Sequence, residues 1–120
     1  MASAARTERP WPTRLAFSKS AKALHIAFES GEAFDIPFEL LRVESPSAEV
    51  QGHAPHQKQL VRGKEAVLVE EAEPVGRYAV RLKFSDGHSS GIFSWDYLHE
   101  LGVNADRLLA DYRAAIAGGR

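Results

Sequence analysis

The sequence predicts an α+β fold: a mainly antiparallel sheet of hairpins with one or two C-terminal helices packed on one face. Three observations carry that prediction. Apolar and polar residues alternate over Leu24–Phe28 and over Tyr78–Phe84, the period of a strand with one wet face. Each run is followed by a turn signal, Ser30-Gly31 or Asp86-Gly87, and then by a second apolar run, the pattern of a hairpin. Near the C-terminus the period becomes helical, with Leu108, Leu109, Tyr112 and Ile116 on one stripe and Arg107, Asp111 and Arg113 outside it. Strands first and helices last is the order of an α+β domain.

Taken in order, residues 1–11 read as a flexible N-terminal arm, small and polar, with Trp11 held between Pro10 and Pro12. That indole either pins the arm to the body or is offered to a partner. Residues 12–117 read as a single domain, and 118–120 as a frayed tail. The first hairpin pairs Leu24, Ile26 and Phe28 with Ala33, Phe34 and Ile36, with Gly31 in the left-handed turn position and Pro37 ending the ladder. Phe38–Arg42 fits either one helical turn or a continued strand. Ser45–Gln59 has no period and holds Pro46, Gly52, His53, Pro55 and His56; loops of this length are functional or mobile. Ser47–Val50 fits a short helical turn inside it.

Val67–Val69 is a third strand candidate, followed by an acidic exit, Glu70-Glu71-Ala72-Glu73. The central hairpin sends Tyr78, Val80, Leu82 and Phe84 to the core, turns at Asp86-Gly87 with both positions at positive φ, and returns through Ser90–Phe93. Ser94 then caps a helix that has Asp96 in its first turn. Gly102 is expected to end that helix and Asn104 to cap a second. No internal repeat is expected, and the sheet has four or five strands.

Composition narrows the function. With 15 basic and 16 acidic side chains the net charge is -1, which supplies no broad field for nucleic acid or an anionic membrane. The absence of cysteine excludes disulfides, thiolate zinc sites, a thiol nucleophile and an iron–sulfur cluster held by this chain's own thiolates. No apolar run reaches signal-peptide length or the ~20 residues of a membrane span, so a cytoplasmic location is expected. There is no phosphate loop ending in Lys-Ser/Thr, no Gly-x-Ser-x-Gly elbow and no His-x-Asp pair of an iron oxygenase.

Five histidines and one basic stripe need a reading. His25 and His99 read as solvated side chains. His53 and His56 in the long loop, joined by His88 at the hairpin, form a candidate zinc or iron ligand set, although their spacing matches no specific metal pattern. The alternative for His88 is structural, with its imidazole beside Asp86 locking the turn. Arg77, Arg81 and Lys83, with Arg62 and Lys64 near them, form a basic stripe that Glu70, Glu71 and Glu73 are expected to neutralise across the strands.

Four stretches together resemble one family: IPFELLRVESPSAEVQGH at 36–53, VRGK at 61–64, EPVGRYAVRLKFSDGHSSGIFSWDYL at 73–98 and LG at 101–102. The sequence is similar to the γ-butyrobetaine hydroxylase-like N-terminal domain over roughly residues 12–102. In the carnitine-pathway hydroxylases this domain precedes a separate oxygenase domain, which has no counterpart here, so the resemblance implies no oxygenase activity. It implies a structural zinc site built from cysteines after the Leu-Arg pair and a histidine of the Asp-Gly-His turn. Here only His88 matches, and Ser45 and Ser47 are expected to replace that site with hydrogen bonds.

The same domain occurs fused to Mrp-type P-loop ATPases that carry iron–sulfur clusters. The resemblance therefore implies an accessory protein-interaction module, with an Mrp-type iron–sulfur carrier or a metalloenzyme as partner and no cofactor of its own. The expected contact surface comprises Trp11, Ser45, Ser47, His53, His56, Asp86 and His88. Metal binding through His53, His56 and His88 is the second reading, and an enzyme of new type the third.

Overall fold

The structure is a computed structural model that describes residues 10–46, 60–89 and 91–118. The readings placed on residues 1–9 of the arm, on Ser47, on the helical turn at 47–50, on His53 and His56, and on the tail at 119–120 lie outside the described residues. The elements run β1 (Pro12–Ser18), β2 (Ala23–Phe28), β3 (Ala33–Pro37), α1 (Phe38–Val43), β4 (Val69–Val75), β5 (Ala79–Phe84), β6 (Ile92–Ser94) and α2 (Trp95–Gly118). The strands form two antiparallel three-stranded sheets, β1-β2-β3 and β4-β5-β6, so the fold is α+β.

The two halves repeat one plan, three strands leading without a break into a helix. In the first, Ala23 faces Pro37 and Leu24 faces Ile36; in the second, Ala79 faces Ser94 and Val80 faces Phe93. Both hairpins turn the same way. Gly31 N–H bonds the Phe28 carbonyl and Gly87 N–H the Phe84 carbonyl, each at 2.9 Å, and both glycines have φ of 95°. Asp86 is not at positive φ, contrary to the two-residue turn expected. Each loop has three residues, with glycine supplying the single left-handed position.

The alternating rows behave as read. Leu24, Ile26 and Phe28 of β2 and Val80, Leu82 and Phe84 of β5 are buried in one shared core with Ile36, Phe93 and the apolar residues of α1. Tyr78 is the exception, 60% exposed, because it belongs to the turn before β5 and not to the strand. Phe38–Val43 resolves as helix, with Phe38, Leu40, Leu41 and Val43 almost fully buried. Glu39, also buried, is met by Arg113 Nη2 at 2.8 Å.

Two strands were missed. β1 follows the arm, with Leu15 and Phe17 only partly buried on its inner side. β4 is the acidic run itself, read as an exit because both its faces are largely wet and it lacks an apolar row. It is an edge strand whose register sets Glu71 opposite Lys83 and Glu73 opposite Arg81. Arg81 Nη1 donates to Glu73 Oε1 at 3.1 Å, the cross-strand neutralisation expected of the basic stripe.

Ser94 caps α2 as read, its Oγ accepting the Tyr97 N–H at 3.1 Å. The helix then runs on through Gly102 and Asn104, so there is one C-terminal helix, not two. Asn104 Nδ2 donates back to the Glu100 carbonyl at 2.9 Å. Gly102 serves packing: a Cβ there would lie 2.6 Å from Cγ and Cδ2 of Phe34. His99, one turn earlier, is not simply solvated, since its ring meets Phe28 and Phe34 edge-on at 5.2 and 5.6 Å and its Nε2 donates to Glu32 at 2.8 Å. That hydrogen bond, with one from Ser30, lowers the Glu32 carboxyl below its ordinary pKa.

Alanine at an open helical position gains about 1 kcal/mol over glycine, but at Gly102 it must displace Phe34. Gly102→Ala is therefore expected to lower stability by about 1 kcal/mol or more, read as a lower urea midpoint. A midpoint that is unchanged or raised would contradict the packing role.

Candidate functional site

The β5–β6 hairpin gathers the polar residues of the molecule. The turn exposes its backbone to Asp86, whose Oδ1 accepts the His88 N–H at 3.0 Å, an Asx-type closure that aims the other oxygen outward. Oδ2 receives Arg42 Nε at 2.8 Å, from the last turn of α1, and Lys64 Nζ at 2.5 Å, from the segment before β4. The three side chains are shielded, with 20% exposure for Asp86 and Lys64 and 11% for Arg42. Burial alone would raise the Asp86 carboxyl, but the bonds from Lys64, the His88 amide and Arg42 outweigh it and hold the group well below the aspartate range. Arg42 Nη1 is buried with no hydrogen-bond partner among the described residues.

Beneath this clamp, Ser45 Oγ and His88 Nε2 are hydrogen-bonded at 3.0 Å. Ser45 is fully buried and His88 nearly so. Space for the serine comes from Gly91, where a Cβ would lie 2.3 Å from Ser45 Oγ. The Asp-Gly-His turn is thus locked by the His88 backbone and the Asp86 carboxylate, while the imidazole reaches 43 residues back along the chain. Next to it, the Tyr97 hydroxyl donates to the Glu44 carbonyl. Burial first, then the charges of Glu44 and Glu100, push that phenol up, so it stays a donor.

A serine within reach of an imidazole is also the geometry of an activated nucleophile. Here the hydroxyl is sealed under Gly91, and Asp86 accepts from the His88 backbone N–H and from two cations, which makes its carboxylate a fixed acceptor. Among the described residues no group of three or more His, Cys, Asp or Glu side chains is placed to hold a metal ion.

A second concave feature lies at the other end of β5. Pro10, Trp11, Tyr78, Ser94, Trp95 and Asp96 bound a cavity of about 370 Å³. The Trp11 carbonyl accepts the Glu29 N–H at 2.9 Å, which ties its backbone to the body, while the residue is 45% exposed. The sequence set Lys64 beside the basic stripe facing Glu70, Glu71 and Glu73, whereas its ammonium goes to Asp86; Arg42, inside the Leu-Arg stretch, was passed over. So were Tyr78 and Trp95, whose signal was the Pro-Val-Gly turn that removes Tyr78 from the strand.

A model described as gamma-butyrobetaine hydroxylase-like, N-terminal matches residues 15–99. The chain belongs to the gamma-butyrobetaine hydroxylase-like N-terminal domain family. Among solved structures, one NMR solution structure is 45% identical, with a TM-score of 0.79, covering 92% of this chain and 87% of that one. Another NMR structure is 39% identical, with a TM-score of 0.81, covering 95% and 85%. A crystal structure of a protein of unknown function from Acidithiobacillus ferrooxidans, of the DUF971 family, is 41% identical with a TM-score of 0.65, covering 76% and 91%. No curated protein matches the chain.

The zinc site associated with this family does not fit the described residues. The chain has no thiol, and His88, the one matching donor, turns Nε2 to Ser45. A neutral hydroxyl and a single imidazole are a poor donor set for zinc.

The clamp carries a pH signature. Because the folded Asp86 carboxyl is held below its unfolded value near 3.8, its stabilisation is complete above that value and drains away as pH falls below it. Urea unfolding is expected to show stability falling steeply below about pH 4, with Asp86→Asn less stable at pH 7 and flatter in that window. Parallel profiles for the two proteins would remove Asp86 from its structural role.

Proposed function

We propose that this chain is a non-catalytic protein-interaction module that serves an iron–sulfur carrier or an iron-dependent enzyme in the cytoplasm. The observation that carries the reading is the clamp: its carboxylate is bound by two cations and a backbone amide, so the group that elsewhere would suggest acid–base chemistry is used to stiffen an exposed turn. A rigid, charged tip suits recognition of a partner, where preorganisation limits the entropy lost on binding. No helix among the described residues is long and apolar enough to cross a membrane.

The association with iron chemistry comes from the family, whose members include domains joined to Mrp-type P-loop ATPases. The contact surface proposed is the tip at Asp86 together with the 45–56 stretch and Trp11, in which the buried Ser45 and His88 act from beneath by holding the hairpin.

The test is retention of a partner. The tagged chain, passed through a native extract at physiological salt, is expected to retain a discrete protein whose eluate contains iron in stoichiometric amount, and to lose it when Lys64→Glu alters the tip. A chain that elutes alone, or that turns over a substrate unaided, would overturn the reading.

A further inference from the structure

The first sheet ends in an edge that lacks the protection the other sheet edges carry. We propose that two copies of this chain join along β1, antiparallel, about a two-fold axis at Ala16. This pairing does not depend on the docking reading above.

An edge strand offers a row of unpaired N–H and C=O groups to any chain that can match it, and folded proteins blunt such edges with charge, proline, short length or a covering helix. Three of the four edges of the two sheets carry one of these devices. β4 has Glu71, Glu73 and Pro74. β6 is three residues long. β3 carries Asp35 and has α2 packed against it, where Gly102 admits Phe34. β1 differs from all three. It is seven residues long, has Arg14 as its one charged residue, and among the described residues pairs with β2 alone. Its proline, Pro12, stands before the register shift, so Arg14–Ser18 is a regular stretch in which every residue keeps its N–H.

The core is open at the same margin. Leu15 stands opposite Ile26 and Phe17 opposite Leu24, which places both on the inner row. Ile26 and Leu24 are 2% and 0% exposed, whereas Leu15 and Phe17 are only partly buried. Apolar surface left wet at the end of a buried row favours whatever extends that row.

The order of residues in β1 selects a second copy of itself for that place. Ala16 is the centre of the regular stretch, and an antiparallel pair with its two-fold axis there sets Leu15 opposite the second copy's Phe17, and Phe17 opposite its Leu15. The inner rows then continue across the junction as cross-strand apolar pairs. On the outer face alanine meets alanine at the axis and Arg14 meets Ser18, so the one charge of the strand never faces itself. An isologous interface requires this self-complementarity. An unrelated extended segment would satisfy the hydrogen-bond row but not this order of apolar, small and charged positions. The product is a continuous six-stranded sheet with the two β1 strands at its centre.

Sedimentation equilibrium of the full chain from about 10 µM to 1 mM is expected to show the mass rising from one chain toward two. The dissociation constant is expected on the order of 0.1 mM, because so short a pairing makes a small interface. Opposed side chains in an antiparallel pair lie about 4.5–5.5 Å apart, and like charges there repel. Ala16→Lys alone and Ala16→Glu alone are each expected to weaken association about tenfold or more, and an equimolar mixture of the two to restore a dimer with one chain of each. Ala16 lies on the outer face of the sheet opposite His25, and circular dichroism checks that the variants fold. Ala16→Cys gives a second reading if a charged variant does not fold. The chain has no other cysteine, and air oxidation is expected to link two copies at that position faster than it links Lys83→Cys, exposed on β5 of the other sheet. A single-chain mass up to 1 mM, undiminished association of Ala16→Lys, a mixture that associates no better than either variant, or equal linking of the two cysteine variants would overturn the proposal.

Discussion

The carboxylate of Asp86 ties the two halves of the molecule together by charge through two cations at once, beside the single pair that Glu39 of α1 makes with Arg113 of α2. Arg42 brings the end of the first half's helix to it, Lys64 brings the connecting segment, and the turn that carries Asp86 belongs to the second half. Below it the Ser45–His88 bond makes the same connection without charge. These links cluster where α1 ends and the apolar core stops, at a boundary that would otherwise admit water. A partly buried carboxylate with two cations is stable only if all three side chains keep their places, so the clamp also fixes the hairpin that carries it.

The core explains why such ties are needed. Neither three-stranded sheet has enough apolar surface to bury a face by itself, and the inner rows of β2 and β5 therefore share one cluster with α1 and α2. α2 closes the assembly through Leu98, Leu101, Ala105 and Tyr112, with the Tyr112 hydroxyl donating to the Val61 carbonyl. β5 runs through this cluster, and the two surface features described above lie at its two ends. One end is a polar hairpin, saturated by internal bonds. The other is an aromatic cavity with a single carboxylate on its wall.

Much of this was legible in the residues, for reasons that can be named. The rows of β2 and β5, the cap at Ser94 and the stripe of α2 each rest on a periodicity that buried residues must obey. What was not legible depends on contacts distant in sequence. The acidic β4 carries no apolar row, and its strand state shows only in its backbone pairing with β5, where Glu71 lies opposite Lys83 and Glu73 opposite Arg81. Gly102 looked like a helix stop because the need to admit Phe34 cannot be seen locally. The internal repeat was hidden because, between 23–32 and 79–88, only Ala23 and Ala79, Phe28 and Phe84, and Gly31 and Gly87 are identical. Of the candidate site, Asp86 and His88 were visible in the turn motif, whereas Arg42 and Lys64 become part of it only when the two halves meet.

The most direct test of this account is a double-mutant cycle between Arg42 and Asp86, with Arg42→Met, Asp86→Asn and the pair compared by urea unfolding at neutral pH. A clamp that joins the halves predicts a coupling free energy of about 1–3 kcal/mol. Additive effects, with coupling near zero, would mean that the Arg42–Asp86 pair does not join the halves, which would contradict the account.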